Sequence, residues 1–327
     1  ELSERSTQYG GRTLVQRHDY SIEISMYRYL KEKARPIRIA RHRKDDDAAN
    51  ADEVTAMRGL LGRLNWATRE GMPHGSGDCS MLASKMPTPK VKDLRDCNYV
   101  LYRLLQVDLP IVIRPIPFED LRILLFTDAS LGNHGDGGTQ LSYVCCTTHS
   151  KLANGQEAPV NVLAYKSHRM TRSGSNVLFT ESNALSEGLA FAEWMTCWFY
   201  LARDLEYDMR KRISLSREIE IQAIMSESDS KLPNLLAVSD SKSLYDSIAK
   251  EQYTGAEKRS ALEICVIRDS LKQMNGTARW VPHQENPSDC LTKLKGNTAR
   301  LLELIQKGSY KLVMEDSELA ARKEYRA

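Results

Sequence analysis

The chain has 327 residues, of which 41% are hydrophobic and 27% charged, and carries a net charge of +3. This is the make-up of a globular protein long enough for two cores, and the charge alone does not establish a nucleic-acid partner. No apolar run approaches the roughly 18 residues a membrane-spanning helix needs, so no membrane partner is expected.

The opening Glu-Leu-Ser-Glu-Arg has neither the basic nor the apolar region of a secretory leader and no initiator methionine, so a piece of something longer is expected. The seven cysteines (79, 97, 145, 146, 197, 265 and 290) form no C-x-x-C pair and have no histidine at zinc-site spacing. They read as reduced thiols of an intracellular protein.

In chain order, Arg12–Gln16 is strand-like, His18-Asp19 a turn, and Ser21 to Lys33 a helical candidate stopped by Pro36. Arg35 to Lys44 packs five cations into ten residues, a patch able to neutralise phosphates or simply to stay solvated. Asp52 to Arg69 places Val54, Met57, Leu60, Leu61 and Leu64 on one helical face, and Lys90 to Gln106 repeats the pattern with Val91, Leu94, Cys97, Leu101 and Leu104. The front part, 1–106, is therefore read as mostly helical. The proline-dotted stretch 107–119 is read as an extended linker.

After it the pattern changes. Leu121–Thr127, Ser142–Thr148 and Val160–Lys166 predict three strands of an antiparallel meander. A long helix is expected from about Glu181 to Asp208, then a strand at Leu235–Ser239, helices at Ser241–Lys250 and Ala256–Met274, and a strand at Ala278–Pro282. A last helix is expected from near Ser288, with 301–327 as a helical tail. This order implies an α/β fold, a mixed sheet with helices on its faces. Trp194, Met195, Trp198, Phe199 and Leu201 along the long helix are read as core rather than as base-stacking residues.

Four acidic residues stand out by position. Asp128 ends the first strand of the meander, Glu181 opens the long helix, Asp240 follows Leu235–Ser239, and Asp289 opens the last helix. Singly, each is explained by turn formation or helix capping. Together they would meet at the carboxyl rim of the sheet, where ligands of α/β sheets bind. Clustered carboxylates repel one another, and hard divalent cations with oxygen ligands relieve that repulsion.

The ordered set Phe-Thr-Asp128-Ala-Ser, Thr-Glu181-Ser-Asn-Ala, Val-Ser-Asp240-Ser-Lys and Pro-Ser-Asp289-Cys-Leu-Thr-Lys resembles the ribonuclease H (RNase H) domain of copia-type LTR retrotransposon polyproteins. Tyr165 to Arg169 resembles the family's stretch before the glutamate, and Trp280 to Pro287 its approach to the last aspartate. Met57 to Arg69 is similar to the family's segment between polymerase palm and RNase H, whereas the polymerase's paired aspartates are missing: Asp45 to Asp47 lie in a polar loop.

The resemblance implies an RNase H-like mixed five-stranded sheet over 120–300, with an insertion near 210–231, preceded by a reverse-transcriptase remnant. It implies hydrolysis of the RNA strand of RNA/DNA hybrids with two Mg²⁺ ions (Mn²⁺ as an alternative). Asp128 would bridge both ions, Glu181 and Asp240 would hold one, and Asp289 the other. Lys166, Arg169, Arg172, Ser241, His283 and Lys293 would contact nucleic acid, with His283 either the counterpart of the mobile histidine of cellular RNases H, which assists product release, or an ordinary loop histidine. The partners implied are the hybrid and the upstream palm and fingers of the same polyprotein, in a cytoplasmic particle or the nucleus. Two alternatives stay open: a DDE-type integrase or transposase, although that class carries its glutamate last, and a catalytically silent nucleic-acid-binding domain.

Overall fold

The computed structural model describes residues 5–172, 174–203, 235–250 and 257–312. The insertion expected near 210–231 lies outside them, as does the tail beyond 312.

The front region combines helices with a sheet. Strands β1 (Arg5–Tyr9), β2 (Arg12–Gln16), β3 (Ile22–Ser25) and β4 (Ile111–Ile113) form an antiparallel sheet in the order β1-β2-β3-β4. The helix expected over Ser21–Lys33 thus divides. Ile22 and Ile24 alternate along β3, and helix α1 covers only Tyr27–Lys33. Asp19 fixes the preceding turn by accepting from Ser21 N and Oγ at 3.0 and 2.6 Å.

Helix α2 (Ala51–Glu70) starts at a capping box, in which Asn50 Oδ1 accepts from Glu53 N and Glu53 Oε2 from Asn50 N, both at 2.9 Å. Helices α3 (Ser76–Ala83) and α4 (Val91–Leu105) complete this layer. Met57, Leu60, Leu61 and Leu64 of α2 pack on Leu94, Cys97 and Leu101 of α4, with Met26 and Leu30 beneath. Their helical periodicity therefore does what the sequence suggested.

The extended stretch read as a linker carries a short paired strand. Within it β4 pairs with β3, Ile22 opposite Ile113 and Ile24 opposite Ile111. Arg114 then bonds to the side chain of Asn161, its N–H donating at 2.9 Å and its carbonyl accepting at 2.8 Å. The prolines end the strand without excluding it, because edge positions tolerate them.

The second sheet has the order β10-β7-β6-β5-β8-β9, with β5 (Leu121–Ser130), β6 (Gln140–His149), β7 (Ala158–Arg169), β8 (Leu235–Ser239), β9 (Thr277–Trp280) and β10 (Ser309–Tyr310). Strands β5, β6 and β7 form the antiparallel meander; β8 joins β5 in parallel and β9 joins β8 in parallel. This is the mixed α/β sheet expected, with β10 as a sixth strand on the β7 edge.

Strand β5 is apolar from Ile123 to Phe126 because both its faces are covered there. Ile123 and Leu125 face α5 (Val177–Arg203) and α7 (Lys258–Gln273), against Leu185, Leu189, Ile264 and Ile267. Leu124 and Phe126 face Leu291, Tyr310 and α8 (Ala299–Lys307). At Gly188 an added Cβ would stand 3.0–3.1 Å from Thr127 and Leu125, so a bare backbone lets α5 lie close on β5.

Two expectations need correction at the far end. No α-helix starts at Ser288: a single 3₁₀ turn spans Asp289–Thr292, and the helix comes later as α8. The segment after residue 300 is also no mere tail, since α8 and β10 close the sheet's open face, with the Tyr310 ring edge-on to Phe126 at 5.1 Å. On α5, Trp194 and Trp198 are 49% and 47% exposed and pack edge-to-face on each other at 5.6 Å. They occupy the solvent side, opposite Leu189 and Ala192, and are not core.

Candidate active site

Strand β5 ends its buried stretch at Asp128, which pairs across the ladder with Ser142 of β6. Asp240 follows directly on β8, the parallel neighbour of β5, so two adjacent strands deliver carboxylates to one rim. Helix α5 starts at Val177, where Asn176 Oδ1 caps Phe179 N at 2.8 Å. Glu181 therefore sits in the second turn rather than at the helix start. The 3₁₀ turn after β9 brings Asp289.

The four carboxylates converge in two overlapping groups. Ligand atoms of Asp128, Glu181 and Asp240 all lie within 4.8 Å of one another, and so do those of Asp240, His283 and Asp289. Asp240, rather than the expected Asp128, is common to both.

Asp128 and Glu181 are buried, at 4% and 6% exposure. Burial, then the carboxylates of Asp240 and Asp289, push Asp128 well above the usual range, while a hydrogen bond from Thr292 Oγ1 opposes the rise. Burial, then Asp128 and Asp240, push Glu181 the same way. Glu181 Oε2 has no hydrogen-bond partner among the described residues. A buried carboxylate oxygen without a donor, beside two more carboxylates, is costly unless a cation joins it. An all-oxygen donor set of this kind fits a hard divalent ion such as Mg²⁺ or Mn²⁺.

The second group carries its own positive charge. His283 Nδ1 lies 2.6 Å from Asp240 Oδ2 and Nε2 lies 3.0 Å from Asp289 Oδ1, while Lys293 bonds Asp289 and approaches His283 Nε2 at 3.2 Å. Sequence reasoning placed His283 and Lys293 as nucleic-acid contacts; here both sit within the cluster.

Its supports went unassigned. Asn286 Nδ2 donates to Thr127 O at 2.9 Å and to Asp240 Oδ1 at 3.3 Å. Trp280 Nε1 holds the Asp240 carbonyl at 2.9 Å, and Ser142 Oγ donates to Ser288 O at 3.1 Å. Trp280 and Asn286 belong to the stretch whose resemblance was noticed, which was their only signal.

The remaining expected contacts lie elsewhere. Lys166 faces Glu187 at 3.6 Å, Arg169 faces Asp136 at 2.5 Å, and Arg172 faces Glu263 at 3.7 Å. Ser241 caps α6 (Lys242–Ala249), its Oγ accepting from Leu244 N at 3.4 Å. In the basic stretch, Arg43 bonds to Glu53 at 2.9 Å, whereas Arg35, Arg38, Arg41 and Lys44 are exposed. No described helix is long and apolar enough to cross a membrane.

No protein-family model matches the sequence, and no curated protein matches it. Among solved structures, the chain is similar to the N-terminal RNase H domain of a Mycobacterium tuberculosis protein, at 14% identity and a TM-score of 0.32, covering 53% of this chain and 91% of that one. It is also similar to RNase H1 from Halobacterium salinarum, at 11% and 0.32, covering 56% and 98%. A third is the foamy viral protease-reverse transcriptase solved with an RNA/DNA hybrid, at 11% and 0.33, covering 57% of this chain and 21% of that one. At such identities and TM-scores these likenesses identify no substrate for this chain.

Proposed function

We propose that the chain is the RNase H part of a retrotransposon-type reverse transcriptase, hydrolysing the RNA strand of RNA/DNA hybrids with divalent metal ions. The observation that carries this reading is the convergence of Asp128, Glu181, Asp240 and Asp289, delivered by four separate elements to one rim of a mixed sheet.

Asp128, Glu181 and Asp240 would hold one ion, and Asp240 with Asp289 a second. When bound, such ions polarise the scissile phosphodiester and make water nucleophilic at neutral pH. The protein's part is to fix the oxygens. Thr292 Oγ1 orients Asp128, Asn286 and Trp280 hold Asp240 from its side chain and backbone, and Lys293 limits the freedom of Asp289. Their fixed geometry removes reorganisation from the reaction. His283 bears on both Asp240 and Asp289, a place from which it can assist product release. Selection of the hybrid would come from 2′-hydroxyl contacts and groove shape rather than from base reading, with the exposed Arg35, Arg38, Arg41 and Lys44 supplying phosphate attraction.

The test is cleavage of a labelled hybrid in Mg²⁺ or Mn²⁺, with duplex DNA as control. Wild type should cut the RNA strand only when the metal is present. Asp128→Asn should reduce cleavage to background while keeping the fold, because it preserves size and removes a charged ligand. Metal-independent cleavage, or full activity of this variant, would overturn the assignment.

A further inference from the structure

The 3₁₀ turn that carries Asp289 is not supported by the second sheet alone. Helix α3, from the front region, lies directly against it. At Gly77 an added Cβ would stand 2.6 Å from the Leu291 carbonyl oxygen and 2.9 Å from its Cα, so only glycine allows this approach. The next residue, Asp78, is buried and accepts from the Lys295 backbone N–H at 2.5 Å through one oxygen while pairing with Arg103 of α4 through the other. Lys295 itself has a left-handed backbone, with φ of 56°, and reaches Asp96 of α4 at 2.5 Å with its ammonium over the Tyr99 ring at 4.9 Å.

A third link runs through buried polar groups. Ser80 of α3 accepts from Gln140 Nε2 at 2.8 Å, Gln140 also bonds to Ser167 at 2.8 Å, and Ser167 Oγ donates to Leu291 O at 2.5 Å. The chain leaving the Asp289–Thr292 turn is thus held at Lys295 by Asp78 and Asp96, both more than 190 positions upstream.

We propose that helices α3 and α4 of the front region fix the place of Asp289, with Gly77 and Asp78 as positioning residues, so that the carboxylate cluster is completed only when the front region is docked. The inference rests on the nuclease reading, since Asp289 matters as a ligand only there. Without the front region, Lys293, Thr292 and the bonds from Ser142 and Ser167 all hold the turn from the sheet side, leaving its other side open to movement. The abutment at Gly77 blocks that motion from below, and the Asp78–Lys295 bond anchors the chain leaving the turn. Outer groups that orient metal ligands typically change metal affinity by about 10–100-fold when removed.

The full chain is tested by titrating it with Mn²⁺, following free ion by electron paramagnetic resonance, alongside hybrid cleavage as a function of Mg²⁺. Gly77→Ala should weaken Mn²⁺ binding by about 10–100-fold and shift the Mg²⁺ needed for half-maximal cleavage upward by a similar factor, with far-UV and near-UV circular dichroism unchanged. Asp289→Asn should do the same, and the double variant should lose no more than Asp289→Asn alone, because both act through one ligand.

Should Gly77→Ala not fold, Asp78→Asn must show the same selective loss at smaller amplitude, since a neutral amide oxygen replaces the carboxylate that holds Lys295 N–H. A wild-type protein that binds Mn²⁺ and cleaves, with Gly77→Ala (or the folded Asp78→Asn) unimpaired or with losses that simply add to those of Asp289→Asn, overturns the positioning role alone. A wild-type protein that neither binds Mn²⁺ nor cleaves overturns the nuclease reading and this inference with it.

Discussion

Asp240 meets three kinds of donor: the indole of Trp280 at its carbonyl, the amide of Asn286 at one oxygen and the imidazole of His283 at the other. Only the imidazole has a second carboxylate on its far nitrogen, so a phosphate entering the cluster competes with Asp289 for His283 and Lys293. Farther out, Lys166, Arg169 and Arg172 have acidic partners of their own, and phosphate contact requires them to exchange Glu187, Asp136 and Glu263 for the backbone. Exposed ion pairs are weak enough to exchange in this way. If they do so, replacing all three with Ala should lower the slope of log affinity for the hybrid against log salt by roughly 0.7–0.9 per lost contact. A fluorescence-anisotropy titration at several salt concentrations reads this directly, and an unchanged slope assigns the three to the solvated surface. The four carboxylates stood out in the sequence because each lies at or near the end of an element, where an acidic residue leaves a positional signature, although Asp128 falls inside β5 and Glu181 in the second turn of α5. Their supports were not. Asn286 and Thr292 act on Thr127 and Asp128, 159 and 164 residues away, and local sequence carries no trace of such a pairing.

Elements were legible where their burial was periodic. The stripes of α2 and α4 and the two-sided apolar runs of β5 and β8 leave regular patterns. Helix α3 leaves none, because Gly77, Asp78, Cys79, Met81 and Leu82 are buried almost around its whole circumference. Strand β4 was hidden by the prolines beside it, and the turn at Asp289 by a helix-start signature that its tertiary bonds satisfy without a helix. Just before α3, His74 is buried, with Nε2 unpartnered among the described residues. Burial, helped by the Arg103 charge, lowers its pKa from 6.5 to about 4. The unfolded chain therefore takes up a proton below about pH 6.5 that the folded site refuses until about pH 4. The stability this residue contributes is complete above pH 6.5 and is lost as pH falls toward 4, by up to about 3 kcal/mol. Denaturant unfolding at pH 7 and pH 4.5 should show His74→Gln losing less stability on acidification than wild type. Parallel losses would remove His74 as the source.

Across the whole molecule, the front helices keep a cluster of their own, but packing crosses the division at residues 107–119. Ile111 belongs to the cluster built on Leu124, Phe126 and Val144, and Ile24 of β3 packs against it. A chain beginning at Pro115 keeps all four carboxylates but loses Ile111, worth about 2–5 kcal/mol if its loss resembles truncation of a buried isoleucine, together with the Asp78–Lys295 anchor. It should melt well below the full chain in scanning calorimetry; an unchanged transition would restore an independent second domain. The spacing of the carboxylates has a further consequence during synthesis. Asp128 leaves the ribosome before Thr292, which orients it and follows 164 residues later, roughly 8–30 seconds at ordinary rates of translation. Contacts between such distant positions close last in folding, after local helices and hairpins. On the proposed function, a ribosome-bound chain would display the first carboxylate with no partner able to complete a site around it, so metal binding at the cluster would wait until the residues that close it have emerged.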